Sequence, residues 1–141
     1  MASDNQPRTG QCLCGSVKFK ASGVDINYHI CHCSMCRKWS GGPAMAVAVE
    51  GIEFDGDENI TVFKSSEWAE RGFCHKCGTH LFYHLKEGDK YMVENGLFDH
   101  SDDFKLAGEI FIDNKPDNYE FAGDHSRMTE QELLKSLGII E

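Results

Sequence analysis

The stretch that organises this chain is residues 29–39, which read His29-Ile30-Cys31-His32-Cys33-Ser34-Met35-Cys36-Arg37-Lys38-Trp39. It places three thiols, Cys31, Cys33 and Cys36, in the spacing C-x-C-x-x-C. Three thiolates held this close together can bind one soft cation and leave its fourth tetrahedral position free. The stretch is therefore more typical of a reactive metal site than of a purely structural one.

The other four cysteines form two distant pairs, Cys12/Cys14 and Cys74/Cys77, and each pair is followed directly by a glycine. The spacings C-x-C and C-x-x-C each bring two sulfurs onto one tetrahedral ion. If a sheet brings the two pairs together, they complete a closed four-cysteine site, which is the structural type of zinc site. Spacing alone leaves a second partition open, in which Cys12 and Cys14 share an ion with part of the 31–36 group.

Two other interpretations of the 31–36 group remain open on spacing alone. The group could be a second structural zinc site closed by a histidine, for which the candidates are His29, His32, His75, His80 and His84. His32 lies between two of the ligands, so on an extended segment its side chain points to the opposite face. The group could also be a redox-active set of thiols that binds no metal.

Cysteine usage and the amino terminus predict a cytoplasmic, metal-binding protein. Residues 1–8 are polar and lack the apolar segment of a secretory signal, and no apolar run approaches the roughly 20 residues that span a bilayer. Stable disulfides are uncommon in a reducing compartment, where clustered thiols indicate metal ligands or catalytic groups. The odd number of cysteines, seven, also leaves one thiol over from any complete disulfide pairing.

The charge balance argues against a nucleic-acid partner. Fourteen Lys and Arg against 23 Asp and Glu give a formal net charge of −9. Seven thiolates on two Zn²⁺ ions would add 4 − 7 = −3, which brings the total to about −12. Such a surface repels a phosphate backbone, and no basic run compensates for it. We therefore expect no nucleic acid as partner, and the lack of a long apolar run predicts no membrane partner either.

Periodicity predicts a mainly β fold in one domain, with residues 1–9 as a flexible start and residues 10–141 as the domain. Alternating or continuous apolar runs predict strands over 16–21, 26–31, 44–49, 60–64, 69–74, 79–85, 90–95 and 108–113. A short helical turn over 34–39, capped by Ser34, should follow the second of these strands. Near the carboxyl end, Thr129 and Glu132 form a capping box for a short helix that Gly138 ends.

The cysteine motifs resemble those of the glutathione-dependent formaldehyde-activating (GFA) enzyme family, which includes centromere-protein-V-like proteins. Three stretches carry the resemblance in family order: Gly10-Gln11-Cys12-Leu13-Cys14-Gly15, Cys31-His32-Cys33-Ser34-Met35-Cys36-Arg37-Lys38 and Phe73-Cys74-His75-Lys76-Cys77-Gly78-Thr79. The resemblance implies an Mss4-like fold, a small β-tent of antiparallel strands around a structural zinc. It also implies that Cys12, Cys14, Cys74 and Cys77 hold this structural zinc, while Cys31, Cys33 and Cys36 hold a catalytic zinc.

The activity that the resemblance implies is that of a carbon–sulfur lyase which joins formaldehyde to the thiol of glutathione. An open three-cysteine zinc suits this reaction, because the nucleophile is the thiolate and coordination would deprotonate an incoming thiol. Lewis-acid activation of the carbonyl is the alternative, but three thiolates over-neutralise Zn²⁺ and blunt its acidity. Arg37 and Lys38 are candidate contacts for the carboxylates of glutathione. The alternative function is a non-catalytic zinc module that binds another protein, and the oligomeric state is not indicated.

Overall fold

The computed structural model describes residues 3–4 and 6–140, so parts of the expected flexible start, residues 1, 2 and 5, lie outside the described residues together with Glu141. Within the expected start, the structure places Arg8 in a β-strand. Among the described residues, no helix is long and apolar enough to cross a membrane.

Eight strands form the main sheet. In spatial order they are β13 (Ser126–Arg127), β12 (Lys105–Ile110), β5 (Asn27–Cys31), β6 (Ala44–Val49), β11 (Lys90–Glu94), β10 (His80–Leu85), β9 (Ala69–Cys74) and β8 (Ile60–Lys64). Neighbours from β5 to β8 pair antiparallel, as expected for meanders. The pairs β12–β5 and β12–β13 are parallel and so depart from the antiparallel pattern of the other pairs.

Two smaller sheets accompany the main one. The first orders its strands as β2 (Arg8–Gln11), β3 (Lys18–Ser22) and β7 (Gly51–Asp55), and the second pairs β1 (Ser3–Asp4) with β4 (Val24–Asp25). Buried apolar side chains from the three-stranded sheet and the main sheet form one core cluster, which includes Phe19 and Ala21 from β3, and Val47 and Val93 from β6 and β11. The two sheets are therefore held together by a continuous apolar interface.

Two short α-helices complete the fold of the described residues. Helix α1 (Ser34–Ser40) lies in the connection from β5 to β6, and its N-cap is Cys33, whose sulfur accepts a hydrogen bond from the Cys36 amide. The prediction that Ser34 would cap this helix is therefore wrong by one residue, because the preceding thiol takes the place of a capping hydroxyl. Helix α2 (Glu130–Ser136) carries the expected capping box of Thr129 and Glu132.

The expected fold class is confirmed: the chain is mainly β, with antiparallel strands and a short carboxyl-terminal helix. Strands β6, β8 and β9 begin and end where the residue pattern predicts them. The fold also determines where the cysteines lie. Cys31 and Cys74 end strands, Cys36 lies in the first turn of α1, and the other four cysteines lie in the segments that follow strands, where side chains from distant parts of the chain can meet.

Candidate metal centre

The outer cysteine pairs meet as one group, named here the four-cysteine cluster: Cys12, Cys14, Cys74 and Cys77. Their four sulfurs lie within 4.8 Å of one another. Cys12 follows β2 and Cys74 ends β9, so the cluster links an end of the three-stranded sheet to the main sheet. Four sulfurs at this spacing fit the closed tetrahedral set of a structural zinc.

Backbone and hydroxyl groups surround the sulfurs of the four-cysteine cluster. The Val17 amide donates to the Cys12 sulfur at 3.3 Å, and the Cys77 sulfur lies 3.1 Å from the Thr79 hydroxyl. The hydroxyl of Thr79 lowers the pKa of Cys77 to about 5. Outer contacts of this kind stabilise thiolates and orient them toward a cation.

The cysteine trio, Cys31, Cys33 and Cys36, forms a second and separate group, whose three sulfurs also lie within 4.8 Å of one another. Cys31 ends β5, Cys33 caps α1 and Cys36 lies in its first turn. Cys31 and Cys36 are buried, whereas Cys33 is half-buried. The structure thus groups the seven cysteines as four and three, and it does not bring Cys12 or Cys14 to the trio.

Crowding of the trio separates the acidities of its thiols. Hydrogen bonds from the Cys31 and Cys36 thiols hold the pKa of Cys33 well below its usual range. The same interactions, together with burial, raise the pKa of Cys31 far above its usual range. Without a cation, one thiolate therefore forms readily while its neighbours keep their protons, and binding of a dication would release those protons.

No histidine completes the trio in the part of the chain that the structure describes: no His, Asp or Glu ligand atom lies within 4.8 Å of all three sulfurs. His32 points away from the sulfurs, as expected, and is fully buried beside Glu109. His75 contacts Thr61, and His80 stacks on Trp39 with the ring centroids 4.6 Å apart. The remaining candidates lie elsewhere, with His84 between Glu70 and Asp89, and His29 exposed on β5.

A shallow depression of about 290 Å³ lies between α1 and the segment around Pro116, and no cysteine of the trio lines it. Its lining residues are Ser34, Arg37, Lys38, Gly41, Gly42, Pro116, Asn118 and Tyr119. Arg37 is held in place because its Nε donates to the backbone carbonyl of His32 at 3.2 Å. The two basic residues singled out in the sequence therefore lie together at one depression, where they could meet an anionic group.

Comparison with known proteins identifies the family of the chain. Residues 7–114 match the family described as glutathione-dependent formaldehyde-activating enzyme. The chain belongs to the GFA family. A Schizosaccharomyces pombe protein named as an uncharacterized lyase is 35% identical over 130 residues, which cover 91% of this chain and 95% of that protein.

Two further relatives extend the comparison. A protein of Halomonas elongata named as a putative glutathione-dependent formaldehyde-activating enzyme is 30% identical over 83 residues, covering 52% of this chain and 53% of that protein. A crystal structure of a Rhodobacter sphaeroides protein superposes with a TM-score of 0.57 at 19% identity, covering 84% of this chain and 98% of that one. The latter likeness concerns the fold alone.

Behind the trio of this GFA family member lies a buried polar network that sequence reasoning missed. Glu109 of β12 is 1% exposed. Its carboxylate accepts hydrogen bonds from Nε2 of His32 at 2.7 Å and from Nε2 of His125 at 2.5 Å, and it pairs with Nε of Arg127 at 3.2 Å. Nδ1 of His32 can then accept from the Tyr119 hydroxyl at 3.3 Å. The network ties the carboxyl-terminal segment to the loop that carries the trio.

Replacement of Glu109 by glutamine is expected to destabilise the protein by about 2–4 kcal/mol at neutral pH, because the buried donors lose a charged acceptor. Burial alone raises the pKa of Glu109, but hydrogen bonds from His125 and His32 outweigh it and leave the pKa below its usual range. The difference in the free energy of unfolding between the wild type and Glu109→Gln is thus full when the pH is above the pKa of Glu109 in the unfolded chain. It is lost as the pH falls through the pKa of Glu109 in the folded protein.

Denaturant unfolding of the two proteins across pH 3–8, at constant total zinc, measures this difference. Glu87→Gln, in an exposed turn, is the matched control and should follow the wild type. A Glu109→Gln variant as stable as the wild type at pH 7, or a difference that grows toward acid pH, would contradict the prediction.

Proposed function

We propose that the protein is a zinc-dependent carbon–sulfur lyase or synthase of the GFA type. It would add a small carbonyl compound, such as formaldehyde, to a thiol such as glutathione, or remove it again. The observation that carries the proposal is the trio, whose three sulfurs have no fourth protein ligand among the described residues. Family membership and the names of the relatives support the same reaction class.

The proposal assigns two zinc ions to the chain. Cys12, Cys14, Cys74 and Cys77 would hold a structural zinc, and Cys31, Cys33 and Cys36 would hold a catalytic one. The donor sets fit these roles, since four thiolates close a tetrahedron whereas three leave one position for substrate. The catalytic zinc would supply positive charge that keeps a substrate thiol deprotonated at neutral pH.

The chain's own residues would bind and orient the thiol substrate. Arg37 and Lys38 lie on α1, the helix that contains Cys36, where they line the depression and carry charges that suit the carboxylates of glutathione. At about 290 Å³ the depression suits part of a tripeptide, with the rest of the molecule in solvent. Binding the peptide there would place its sulfur near the trio and remove much of the entropy cost of the encounter.

The chemistry proposed at this site needs no electron donor or acceptor. The sulfur of the thiol forms a bond to the carbonyl carbon, the carbonyl π pair moves to oxygen, and the proton lost by the thiol ends on that oxygen. The reverse reaction breaks the carbon–sulfur bond and returns the proton to sulfur. We favour delivery of the thiol over activation of the carbonyl, because three anionic ligands weaken the Lewis acidity of zinc.

NMR exchange spectroscopy of glutathione, formaldehyde and their adduct tests the proposal directly. Zinc-loaded protein should accelerate adduct formation and breakdown equally, without changing the equilibrium constant. Protein stripped of zinc and then reloaded should lose and regain the acceleration. Exchange rates that are the same with and without the zinc-loaded protein would refute the glutathione–formaldehyde reaction.

A non-catalytic module that binds another protein is the second candidate, and one surface feature favours it. The edge strand β8 exposes Val62 and Phe63, and Trp68 in the following turn is 55% exposed. Exposed edge strands with apolar side chains are common places for protein partners. This candidate predicts that glutathione leaves the zinc X-ray absorption edge unchanged, whereas the enzyme predicts an added sulfur ligand.

A further inference from the structure

A second residue outside the cysteine motifs lies directly against the trio. Arg71 is in the middle of β9, where it is opposite Phe63 of β8 and Tyr83 of β10. Its side chain is only 4% exposed, and its guanidinium carbon lies 5.0 Å from the centroid of the Tyr83 ring. Arg71 is therefore held in the interior, on the face of the main sheet that α1 covers.

The hydrogen bonds of Arg71 are unusual for a buried guanidinium. Its Nη2 donates to the sulfur of Cys36 at 3.7 Å. Its Nε is buried without a hydrogen-bond partner, and no carboxylate of a described residue forms an ion pair with the guanidinium. A buried charge is strongly unfavourable unless an opposite charge compensates for it. The negatively charged group that Arg71 hydrogen-bonds would be the thiolate of Cys36, and the buried carboxyl of Glu94 lies within electrostatic range of the guanidinium without forming an ion pair.

Charge counting shows why the trio needs a cation beyond its metal. Zn²⁺ with three thiolates carries 2 − 3 = −1, and a fourth thiolate from a substrate would bring the site to −2. In a largely buried location both states are costly. One permanent positive charge beside Cys36 brings them to 0 and −1. Arginine suits this position because it stays protonated at any pH at which the protein is folded.

We propose that Arg71 is the counter-charge of the cysteine trio: it positions the Cys36 thiolate and stabilises the metal-loaded site, including its complex with an anionic thiol. Arg71 is a positioning residue, since it acts through Cys36. The inference rests on the proposed metal site at the trio and adds a residue that none of the cysteine motifs contains. It also predicts that a thiolate binds at the trio more tightly than it would without the guanidinium.

The competing interpretation gives Arg71 only a packing role, because its stem and its flat head fill the space against Tyr83. Charge and shape can be separated by substitution. Arg71→Met keeps an unbranched apolar stem and removes the charge. Arg71→Lys keeps the charge on a narrower side chain. Arg71→Gln is a second neutral variant with a polar head, in case the methionine variant folds poorly.

Zinc affinity at the trio is the measurement. The full-length, zinc-loaded protein is titrated with a chromophoric zinc chelator, and Cys33→Ser identifies which release step belongs to the trio. The four-cysteine cluster serves as an internal reference for folding. We expect Arg71→Met and Arg71→Gln to weaken zinc binding at the trio about 10–100-fold relative to the four-cysteine cluster, as is typical of groups that support a metal ligand. Arg71→Lys should stay within a few-fold of the wild type.

Several outcomes would overturn the inference. If Arg71→Met and Arg71→Gln bind zinc at the trio within about threefold of the wild-type affinity, Arg71 is not its counter-charge. An Arg71→Lys variant as weak as Arg71→Met would show that shape, not charge, matters. If the wild type binds two zinc ions and the Arg71 substitutions leave both affinities unchanged, this inference is wrong and the proposed function still stands. A wild type that binds a single zinc, unaffected by Cys33→Ser, would instead remove the proposed function, and this inference with it.

Discussion

Cys74→Ser is expected to abolish cooperative folding at 25 °C. Cys74 is fully buried at the end of β9, and its sulfur lies 3.8 Å from that of Cys14, which is 60 residues earlier in the chain. Structural zinc sites of this type contribute apparent binding energies of about 10–16 kcal/mol. A small domain has a total stability of only about 5–15 kcal/mol. Loss of the Cys74 thiolate from the four-cysteine cluster should therefore remove most of the free energy that stabilises the folded chain.

The local packing makes the effect of Cys74→Ser larger. Cys12, Val17, Leu81 and Phe82 form one buried apolar cluster with Cys74, in which a serine hydroxyl without a zinc partner would be poorly solvated. Near-ultraviolet circular dichroism and denaturant unfolding should show no cooperative transition, and the protein should retain at most one zinc per chain.

His75→Ala is the matched control for Cys74→Ser. His75 is the next residue, it is exposed, and its Nδ1 contacts Thr61 and not a sulfur. This variant should hold two zinc ions and unfold at the midpoint of the wild type. Cooperative unfolding of Cys74→Ser at that same midpoint would show that the four-cysteine cluster does not stabilise the fold.

Cys33→Ser is expected to have the opposite profile, with the fold kept and the activity lost. The Cys33 sulfur accepts a hydrogen bond from the Cys36 amide at 3.3 Å and so caps α1. Serine is a preferred N-cap residue and can take over this hydrogen bond. A hydroxyl is nevertheless a poor substitute for a soft thiolate ligand of zinc. The zinc content should therefore fall from two per chain to one, and the catalysed exchange of glutathione with formaldehyde should fall to the rate without protein.

Two companion variants sharpen the result for Cys33. Cys33→Ala removes both the cap and the ligand, so it should lose the same zinc and in addition about 1 kcal/mol of stability. Met35→Ala lies in the same helical turn with a partly exposed side chain, and it should keep zinc and activity. If Cys33→Ser loses one zinc and keeps full activity, the reaction does not take place at the trio.

The parts of the fold that the sequence predicts are those that local patterns determine. Strand β6 is predicted from a continuous apolar run over 44–49, which depends only on neighbouring residues. Strand β12 was predicted over 108–113, three residues too late, although its apolar pattern continues through Ile112. The strand ends earlier because Phe111 adopts a left-handed backbone with φ of 56°. A pattern of apolar residues does not indicate such a turn.

The two cysteine pairs and the trio are predictable for a similar reason, since short spacing marks each of them, but spacing leaves open which of them share an ion, and only the family resemblance implies the partition into four and three. Arg71 and Glu109 are not predictable in this way, because their partners are far away in the chain. Cys36 is 35 residues from Arg71, and His32 is 77 residues from Glu109. One signal is nevertheless present: Arg71 alternates with Ala69 and Phe73 along a predicted strand, so a charged residue shares a strand face with two apolar ones. Only the order of the strands shows what compensates for its charge.

The different sequence separations within the two cysteine groups have a consequence for how the chain acquires its metals. The trio spans residues 31–36, so an unfolded or nascent chain already presents its three thiols together. The four-cysteine cluster exists only after residues 12 and 77 have been brought together, which carries a large loop-closure entropy. A ligand that also binds the unfolded chain stabilises the native state less. Zinc at the trio would thus bind before the chain folds and add little to the free energy of folding. Zinc at the four-cysteine cluster would bind only as the chain folds and would stabilise the native state.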